Sequence, residues 1–255
     1  MNRVIRLPAT SQRALRRIVV ALSLFMSIGI LGGCNAAGQA EGVADRHRYL
    51  IDVKQALRAI WPDNRRVMIV CHGHSVPSGY FKTPEVRSLD AYPNLLRVRL
   101  AERYRHAVIN IVVTGVGGEN AEEGARRFER DVLSLRPDVV TIDYALNDRA
   151  LGLERTNRAW RAMIEAALAQ GVKLILLTPT PDLEAQLDAP NDPLNQHAAQ
   201  IRALAAEYHV GLVDSLRLFT AAAGSDGLAP LMAQHNHPNA AGHGLIGEAL
   251  FAWFE

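Results

Sequence analysis

Residues 66–81 read "RVMIVCHGHSVPSGYF" and place a serine shortly after an apolar run. The run, "RVMIVCH" at 66–72, is rich in β-branched and other apolar residues, which is typical of a strand buried on both faces of a sheet. Glycine and proline follow and end the strand pattern. The stretch therefore predicts a buried strand that delivers Ser75 to the edge of a sheet.

Four further apolar runs predict strands, at residues 107–115, 138–145, 172–180 and 210–214. Helical patterns lie between them. In 119–136 apolar residues recur at helical spacing, and a second apolar stripe ends at Gly171, which fits a helix C-cap. Repeated alternation of strand and helix is typical of a parallel sheet with helices on both faces. We therefore expect an α/β fold, a flavodoxin-like three-layer α/β/α sandwich around a central parallel sheet of about five strands.

Residues with catalytic chemistry follow several of these predicted strands. Ser75 follows the first, Gly118 lies in "GVGGEN" after the second, Asn147 lies in "ALND" after the third, and His237 lies in "QHNHPNAAGH" beyond the fifth. Because parallel strands end at one edge of a sheet, these residues are expected to converge there. Hydrolytic acyl transfer needs a nucleophile, a base and donors aimed at an oxyanion, so the set fits that chemistry.

These four blocks, in this order, resemble the SGNH/GDSL hydrolases, a superfamily of serine esterases and lipases. The blocks are Gly73-His74-Ser75, the turn containing Gly118, Ala145-Leu146-Asn147-Asp148, and Gln234-His235-Asn236-His237-Pro238. The resemblance implies that Ser75 attacks an ester carbonyl and that His237 accepts its proton. It further implies that the backbone N–H groups of Ser75 and Gly118 and the side-chain amide of Asn147 bind the oxyanion, with no cofactor and no metal.

Three positions depart from the family's pattern. Gln234 stands where the family normally has the acid that orients the histidine. A carboxamide oxygen can accept the Nδ1 proton, but it cannot stabilise an imidazolium by charge. We therefore expect a Ser-His dyad steadied by a backbone carbonyl or by Gln234, with Asp214 and Asp226 as less favoured acids. His74 replaces the usual aspartate and Ala145 the usual glycine, which changes the rim around the serine.

The residues leave three other functions open. The His-x-His pairs His72/His74 and His235/His237, together with His243, could hold zinc and hydrolyse a substrate through bound water. An acyltransferase could use the same serine, with a sugar hydroxyl in place of water. A catalytically silent binding module could use the same scaffold, because the usual acid is missing.

The N-terminal segment predicts export. Residues 1–33 carry five arginines and no acidic residue, and they include an apolar run from Ile18 to Leu31 that is too short for a membrane span, as in a signal peptide. "LGGC" at 31–34 resembles the lipobox of bacterial lipoproteins, which implies lipidation of Cys34. Residues 34–45 have the composition of a linker, and 46–255 form the predicted SGNH hydrolase domain. We expect a lipoprotein held on a membrane of the bacterial cell envelope by this anchor, or otherwise a secreted protein.

Charge and cysteine content narrow the range of binding partners that we expect. Removing residues 1–33 lowers the formal net charge from +2 to −3, which gives no indication of nucleic-acid binding. Cys71 ends an apolar run and is expected to be a small buried hydrophobe. An enzyme located in the cell envelope would act on a small-molecule or glycan ester. Acetyl or other short-acyl esters of carbohydrate are the favoured class. No protein partner is inferred.

Overall fold

Each predicted apolar run contains a strand, and the five strands lie parallel in one sheet. The computed structural model describes residues 42–255. The strands are β1 (Arg66–Gly73), β2 (Val108–Val113), β3 (Val139–Asp143), β4 (Lys173–Leu177) and β5 (Gly211–Val213). Their order in the sheet is β2-β1-β3-β4-β5, and every neighbouring pair is parallel. The expectation of a parallel sheet is confirmed.

Helices cover both faces of the sheet. The α-helices within the described residues are α1 (Ile51–Arg58), α2 (Ser75–Ser78), α3 (Tyr92–Arg103), α4 (Ala121–Asp131), α5 (Leu153–Ala169), α6 (Pro193–Glu207), α7 (Ser215–Ala222) and α8 (Ala240–Phe251). Buried residues of α1, α3, α7 and α8 form one apolar cluster with the sheet, and those of α4 and α5 form a second. Helix α6 contributes to both. The arrangement is the predicted three-layer α/β/α sandwich.

Strand β1 shows why the layers form. Successive side chains of a strand point to opposite faces. Val67, Ile69 and Cys71 therefore join the first cluster, whereas Met68 and Val70 join the second. Cys71 is fully buried, and burial raises the pKa of its thiol to about 12. It is the small buried hydrophobe that the sequence predicts.

The predicted helix over 119–136 is shorter in the structure. Helix α4 begins after Asn120, whose side chain accepts hydrogen bonds from the N–H groups of Glu122 and Glu123. The N–H of Asn120 in turn donates to the carboxylate of Glu123. This capping box fixes the start of the helix. A 3₁₀ turn over Leu133–Leu135 follows α4, and Arg136 then has a left-handed backbone with φ of 51° before Pro137. Because proline disfavours helical backbone at the residue before it, the chain leaves the helix there.

A short antiparallel hairpin, which the sequence did not predict, precedes the last helix. Its strands are β6 (Met232–Gln234) and β7 (His237–Pro238), with Gln234 paired to His237. Asn239 then caps α8 by accepting hydrogen bonds from the N–H groups of Ala241 and Gly242. The hairpin and the cap together fix the backbone around His237.

The first described residues lie against the domain. The N–H of Ala44 donates to the carbonyl of Val210, and Nδ1 of His209 lies 2.8 Å from the carbonyl of Gly42. Residues 42–44, part of the predicted linker, thus contact the chain just before β5. The predicted signal peptide, Cys34 and the start of that linker lie outside the described residues. Within residues 42–255, no helix has both the length and the apolar character that crossing a membrane requires.

Candidate active site

The chain turns sharply at the carboxyl end of β1. A Cβ atom on Gly73 would lie 2.4 Å from the carbonyl oxygen of Asp143, so only glycine fits at this close approach. His74 caps the one-turn helix α2 by accepting a hydrogen bond from the N–H of Val76, and Ser75 is the first residue of that helix. The turn ends at Gly79, whose φ is 85°. Ser75 is thereby held at the edge of the sheet, 6% exposed.

His237 lies directly against this serine. Its Nε2 atom is 3.0 Å from Oγ of Ser75, although 162 residues separate the two in sequence. The imidazole is 5% exposed. Burial, followed by the nearby His74, lowers the pKa of His237 below its usual value. A neutral imidazole within hydrogen-bond reach of a hydroxyl is the arrangement needed to remove its proton.

No carboxylate of the described residues contacts the other ring nitrogen. Nδ1 of His237 is buried and has no partner in hydrogen-bonding geometry within residues 42–255. The backbone of Phe81 lies beside the ring and favours its protonated form, which partly offsets the effect of burial. Of the alternatives drawn from the sequence, the backbone of a neighbouring residue is therefore the one found near the imidazole.

The three side chains considered as orienting groups bond elsewhere. The amide oxygen of Gln234 accepts from the N–H of Thr83, and its nitrogen donates to Asn236. Asp214 caps α7 and pairs with Arg202 at 2.7 Å. Asp226 is an exposed residue of the loop between α7 and β6. None of these three side chains contacts His237, so the structure gives them no orienting role.

Gly118 and Asn147 lie on two loops that are bonded to each other. Gly118 has φ of 80°, a left-handed conformation that favours glycine, and a Cβ there would meet no atom within 4 Å. The side-chain nitrogen of Asn147 donates to the carbonyl of Glu119 at 3.0 Å. The N–H of Val116 donates to the carbonyl of Gly73. This bond ties the same loop to the turn at residues 73–79, called the nucleophile turn below because it carries the candidate nucleophile Ser75. The structure therefore connects the loops after β1, β2 and β3.

A buried polar network supports this loop. The guanidinium of Arg127 donates to both carboxylate oxygens of Glu119, and the hydroxyl of Tyr144 donates to the same carboxylate. Nε2 of His72 lies 3.1 Å from the Tyr144 hydroxyl. Burial, and secondly the Arg127 charge, lower the pKa of His72 to about 3, so this histidine stays neutral. Sequence reasoning missed the network because its members come from four separate elements.

Tyr80 forms a wall beside the two catalytic candidates. Its ring lies 5.9 Å from the ring of His237, measured between centroids. A Cβ on Gly117 would come within 2.7 Å of the Tyr80 ring, so the glycine allows this ring to approach the loop after β2. Tyr80 therefore lies where it narrows the space next to His237.

The histidine pairs do not converge on one metal position. His74 lies against Ser75 and Asp143, His235 binds Asp182, and Nδ1 of His243 accepts from the N–H of Tyr92. Among residues 42–255, only Asp182, Glu184 and His235 bring three potential ligand atoms within 4.8 Å of one another. That group contains neither Ser75 nor His237, so it offers no support for a metal-activated water at the serine.

One cavity of the described residues lies beside the serine site rather than in it. Its volume is about 760 Å³, and it is lined by residues of the segments 182–189 and 220–228. Asp182 contributes to this lining and also binds His235, two residues before His237. Neither Ser75 nor His237 lines the cavity.

Comparison with solved structures gives the fold a set of similar proteins. An acetylxylan esterase from Geobacillus stearothermophilus matches with a TM-score of 0.64 and 22% identity, over 74% of this chain and 94% of that chain. An α/β hydrolase from the metagenome of Lake Arreo, Spain, matches with a TM-score of 0.62 and 22% identity over the same shares. A protein of the G-D-S-L family from Desulfitobacterium hafniense has a TM-score of 0.58 and 22% identity, over 73% and 99%.

Comparison of the sequence identifies the family. No curated protein matches the chain. Residues 71–245 match the model of the GDSL-like Lipase/Acylhydrolase family, and this range runs from the end of β1 to the middle of α8. It includes every sequence block described above, the nucleophile turn and the β6–β7 hairpin among them. The chain therefore belongs to the GDSL-like lipase/acylhydrolase family and is a serine-type carboxylic ester hydrolase.

Proposed function

We propose that this protein hydrolyses short-acyl esters, with Ser75 as the nucleophile and His237 as the general base. The 3.0 Å contact between Oγ of Ser75 and Nε2 of His237 is the observation that carries the proposal. The lowered pKa of His237 supports it, because the imidazole is then free to accept a proton at neutral pH. The buried position of both side chains limits competition from bulk water.

The reaction proceeds in two halves. Oγ of Ser75 attacks the ester carbonyl while its proton passes to Nε2 of His237. The resulting imidazolium then gives that proton to the alcohol that leaves, as the bond between the carbonyl carbon and the alcohol oxygen breaks. Water next attacks the acyl-enzyme, with His237 again accepting a proton and returning it to Oγ, which releases the carboxylic acid.

Donors for the oxyanion come from the three connected loops. The backbone N–H groups of Ser75 and Gly118 and the side-chain amide of Asn147 fill this role. An asparagine amide carries two hydrogens, so Asn147 can bond to the carbonyl of Glu119 with one and to the substrate with the other. The left-handed backbone of Gly118 supports this assignment, because it lets an amide turn away from the local backbone hydrogen bonds.

Two observations favour an acetyl or other short-acyl group on carbohydrate. Tyr80 narrows the space beside His237, which disfavours a long acyl chain there. The fold is similar to that of an acetylxylan esterase, whose name gives its substrate as an acetylated polysaccharide. Catalytic mutants of that esterase include replacements of a serine and of an aspartate. The present chain has the serine, but no carboxylate contacts His237 within the described residues.

Labelling with a fluorophosphonate tests the nucleophile. The purified protein should incorporate the probe at Ser75, as located by peptide mapping, and Ser75→Ala should abolish incorporation. Ser88→Ala, which removes an exposed serine hydroxyl in the segment after α2, serves as the matched control and should label like the wild type. Absence of label from the folded wild-type protein would overturn the proposal and favour a silent binding module.

Acyl-chain and alcohol preference are tested with two substrate series. Nitrophenyl acetate, butyrate and octanoate should give falling kcat/KM with chain length, and Tyr80→Ala should flatten that series. Acetylated xylo-oligosaccharides should release acetate faster than a simple alkyl acetate does. A preference for octanoate, unchanged in Tyr80→Ala, would contradict the short-acyl assignment.

We also propose that the protein is exported and anchored through a lipid on Cys34. The support is the sequence alone, namely the basic and apolar segment over 1–31 followed by "LGGC". In bacterial cells fed a clickable palmitate analogue, the wild type should incorporate the label and partition with membranes. Cys34→Ala should lose both properties, and an unlabelled wild type would refute the anchor.

A further inference from the structure

A second histidine touches the hydroxyl of Ser75. Nδ1 of His74 lies 3.3 Å from Oγ of Ser75, and the same nitrogen accepts a hydrogen bond from the N–H of Val76 at 3.2 Å. An acceptor nitrogen carries a lone pair, so in neutral His74 the ring hydrogen is on Nε2. The bond from Val76 therefore fixes the tautomer and aims Nε2–H away from the serine.

A carboxylate faces that Nε2–H from the neighbouring strand. Oδ1 of Asp143, the last residue of β3, lies 3.5 Å from Nε2 of His74. His74 is 0% and Asp143 1% exposed, and within residues 42–255 these two atoms have no hydrogen-bond partner. The other oxygen of Asp143 accepts from the hydroxyl of Tyr92 at 3.3 Å. Asp143, His74 and Ser75 thus form a row of acid, imidazole and hydroxyl.

His74 does not replace His237 as the base. The Nδ1 lone pair of His74 is already used by the N–H of Val76, and its protonation would leave that buried N–H without an acceptor. Nε2 of His237 is also nearer to Oγ of Ser75, at 3.0 Å against 3.3 Å. The row therefore acts on the serine by position and charge rather than by taking its proton.

Capping alone does not account for the pair. A serine, asparagine or aspartate at position 74 would cap α2 as well as histidine does. None of them would need a buried carboxylate behind it, and such a group is costly to bury with so few donors. His74 is one of the positions where the chain departs from the usual block, and His237 is the base that lacks the usual acid.

Building on the function proposed above, we propose that Asp143 and His74 are positioning residues for Ser75 that replace the acid missing from His237. Asp143 fixes the ring of His74, which holds the nucleophile turn, and its negative charge stabilises the positive charge that develops on His237 as the serine gives up its proton. The carboxylate thus acts through the ring beside Ser75 instead of bonding to Nδ1 of His237.

Within residues 42–255, the groups that face His237 bring no carboxylate into contact with it. His74 faces it from the nucleophile turn, His235 from the hairpin and His243 from α8, and the Tyr80 ring packs beside it. Asp148 also lies within electrostatic reach of His74, but its oxygens are occupied by the N–H of Ala121 and by Trp160. Asp143 is the carboxylate that reaches Ser75 through a single bridging ring.

Asp143→Asn tests the charge with little change in volume. Asp138→Asn is the matched control, because Asp138 directly precedes the same strand and lies about 17 Å from Asp143 at roughly 3.3 Å per residue, at the other end of the strand. Its carboxylate accepts from the N–H of Met68 and pairs with Arg65, and it has no contact with Ser75. We expect Asp143→Asn to slow fluorophosphonate labelling of Ser75 by about tenfold or more, with KM for nitrophenyl acetate changed less than about twofold. Asp138→Asn should match the wild type in both.

The pKa of His237, measured by NMR titration of the ring carbons, provides a readout that a purely structural role would not change. Loss of the Asp143 charge should lower this pKa by about half a unit or more, since the imidazolium loses a favourable interaction. His74→Asn keeps an acceptor for the N–H of Val76 and should slow labelling to a similar degree. This second variant decides the matter if Asp143→Asn does not fold.

The outcomes separate the two proposals. A wild-type protein that labels normally, with Asp143→Asn and His74→Asn labelling at the same rate and an unchanged pKa of His237, would overturn the positioning role while leaving the esterase intact. A folded wild type that does not label would overturn the proposed function. The titration needs no substrate, so an unchanged pKa of His237 in Asp143→Asn would then still refute the inference.

Discussion

Acidification should destabilise this protein through its buried histidines. Burial lowers the pKa of His243 to about 4, and burial together with the Arg127 charge lowers that of His72 to about 3. In the unfolded chain both titrate near the usual 6.5. Between those values the unfolded state binds protons that the folded state does not. The free energy of unfolding is therefore fully present above pH 6.5 and falls as the pH is lowered toward the folded pKa values.

The magnitude follows from the size of the shifts. Burial and, secondly, the Arg149 charge lower the pKa of His197 to about 4 as well. Each of these three histidines contributes about 1.4 kcal/mol per pH unit in this window, so His72, His197 and His243 together cost about 5.5 kcal/mol between pH 7 and pH 5. Asp148 acts in the opposite direction, because burial raises its pKa to about 6 and the folded state then takes up its proton first. This proton uptake by Asp148 offsets about 1.3 kcal/mol of the loss in unfolding free energy at pH 5. The net loss is on the order of 4 kcal/mol.

Chemical denaturation at pH 7 and pH 5 measures this loss directly. His243→Gln keeps an acceptor near the N–H of Tyr92 but does not titrate, so the variant should lose about 2 kcal/mol less than the wild type over the same interval. His106→Gln, at an exposed position, is the matched control and should show the wild-type loss. An identical loss in His243→Gln and in the wild type would refute the reasoning.

Four further results are expected from the site and the core. Because burial lowers the pKa of His237, the acid limb of kcat/KM should have its midpoint below 6.5, and a midpoint at or above that value in steady-state assays would contradict a neutral base. Asn147→Ala should lower kcat by about 10²–10³ through the lost oxyanion donor. Gln234→Ala should keep kcat within about twofold, since its amide bonds elsewhere, and a hundredfold loss in the same assay would show a contact with the base. Native Cys71 should resist iodoacetamide until the chain is denatured, as read by mass spectrometry.

Much of the scaffold follows from local pattern. The apolar runs predict the five strands because strands covered on both faces must be apolar along their whole length. The positions of Ser75 and Asn147 after β1 and β3 follow in turn, since parallel strands end at one edge. The left-handed backbone at Gly118 is a conformation that glycine adopts readily, which accounts for a glycine at this position of the turn.

What could not be predicted depends on pairings between distant segments. The contact of His74 with Asp143 requires the register that sets Gly73 beside Asp143 across β1 and β3, which neither strand specifies alone. Gln234 was considered as a partner of His237, yet its amide binds the backbone of Thr83, 151 residues earlier in the chain. The β6–β7 hairpin is too short and too polar to produce a periodic signal.

The contact between Ser75 and His237 also determines at which stage of synthesis and folding the enzyme can become active. The serine lies in the first third of the chain and the histidine near its end, with four strands of the sheet between them in sequence. An incomplete chain that stops before residue 237 carries the nucleophile but has nothing to activate it. During synthesis the protein should consequently remain unreactive toward esters. Its reactivity should appear in one step, when α8 packs against α3 and the hairpin brings His237 against Ser75.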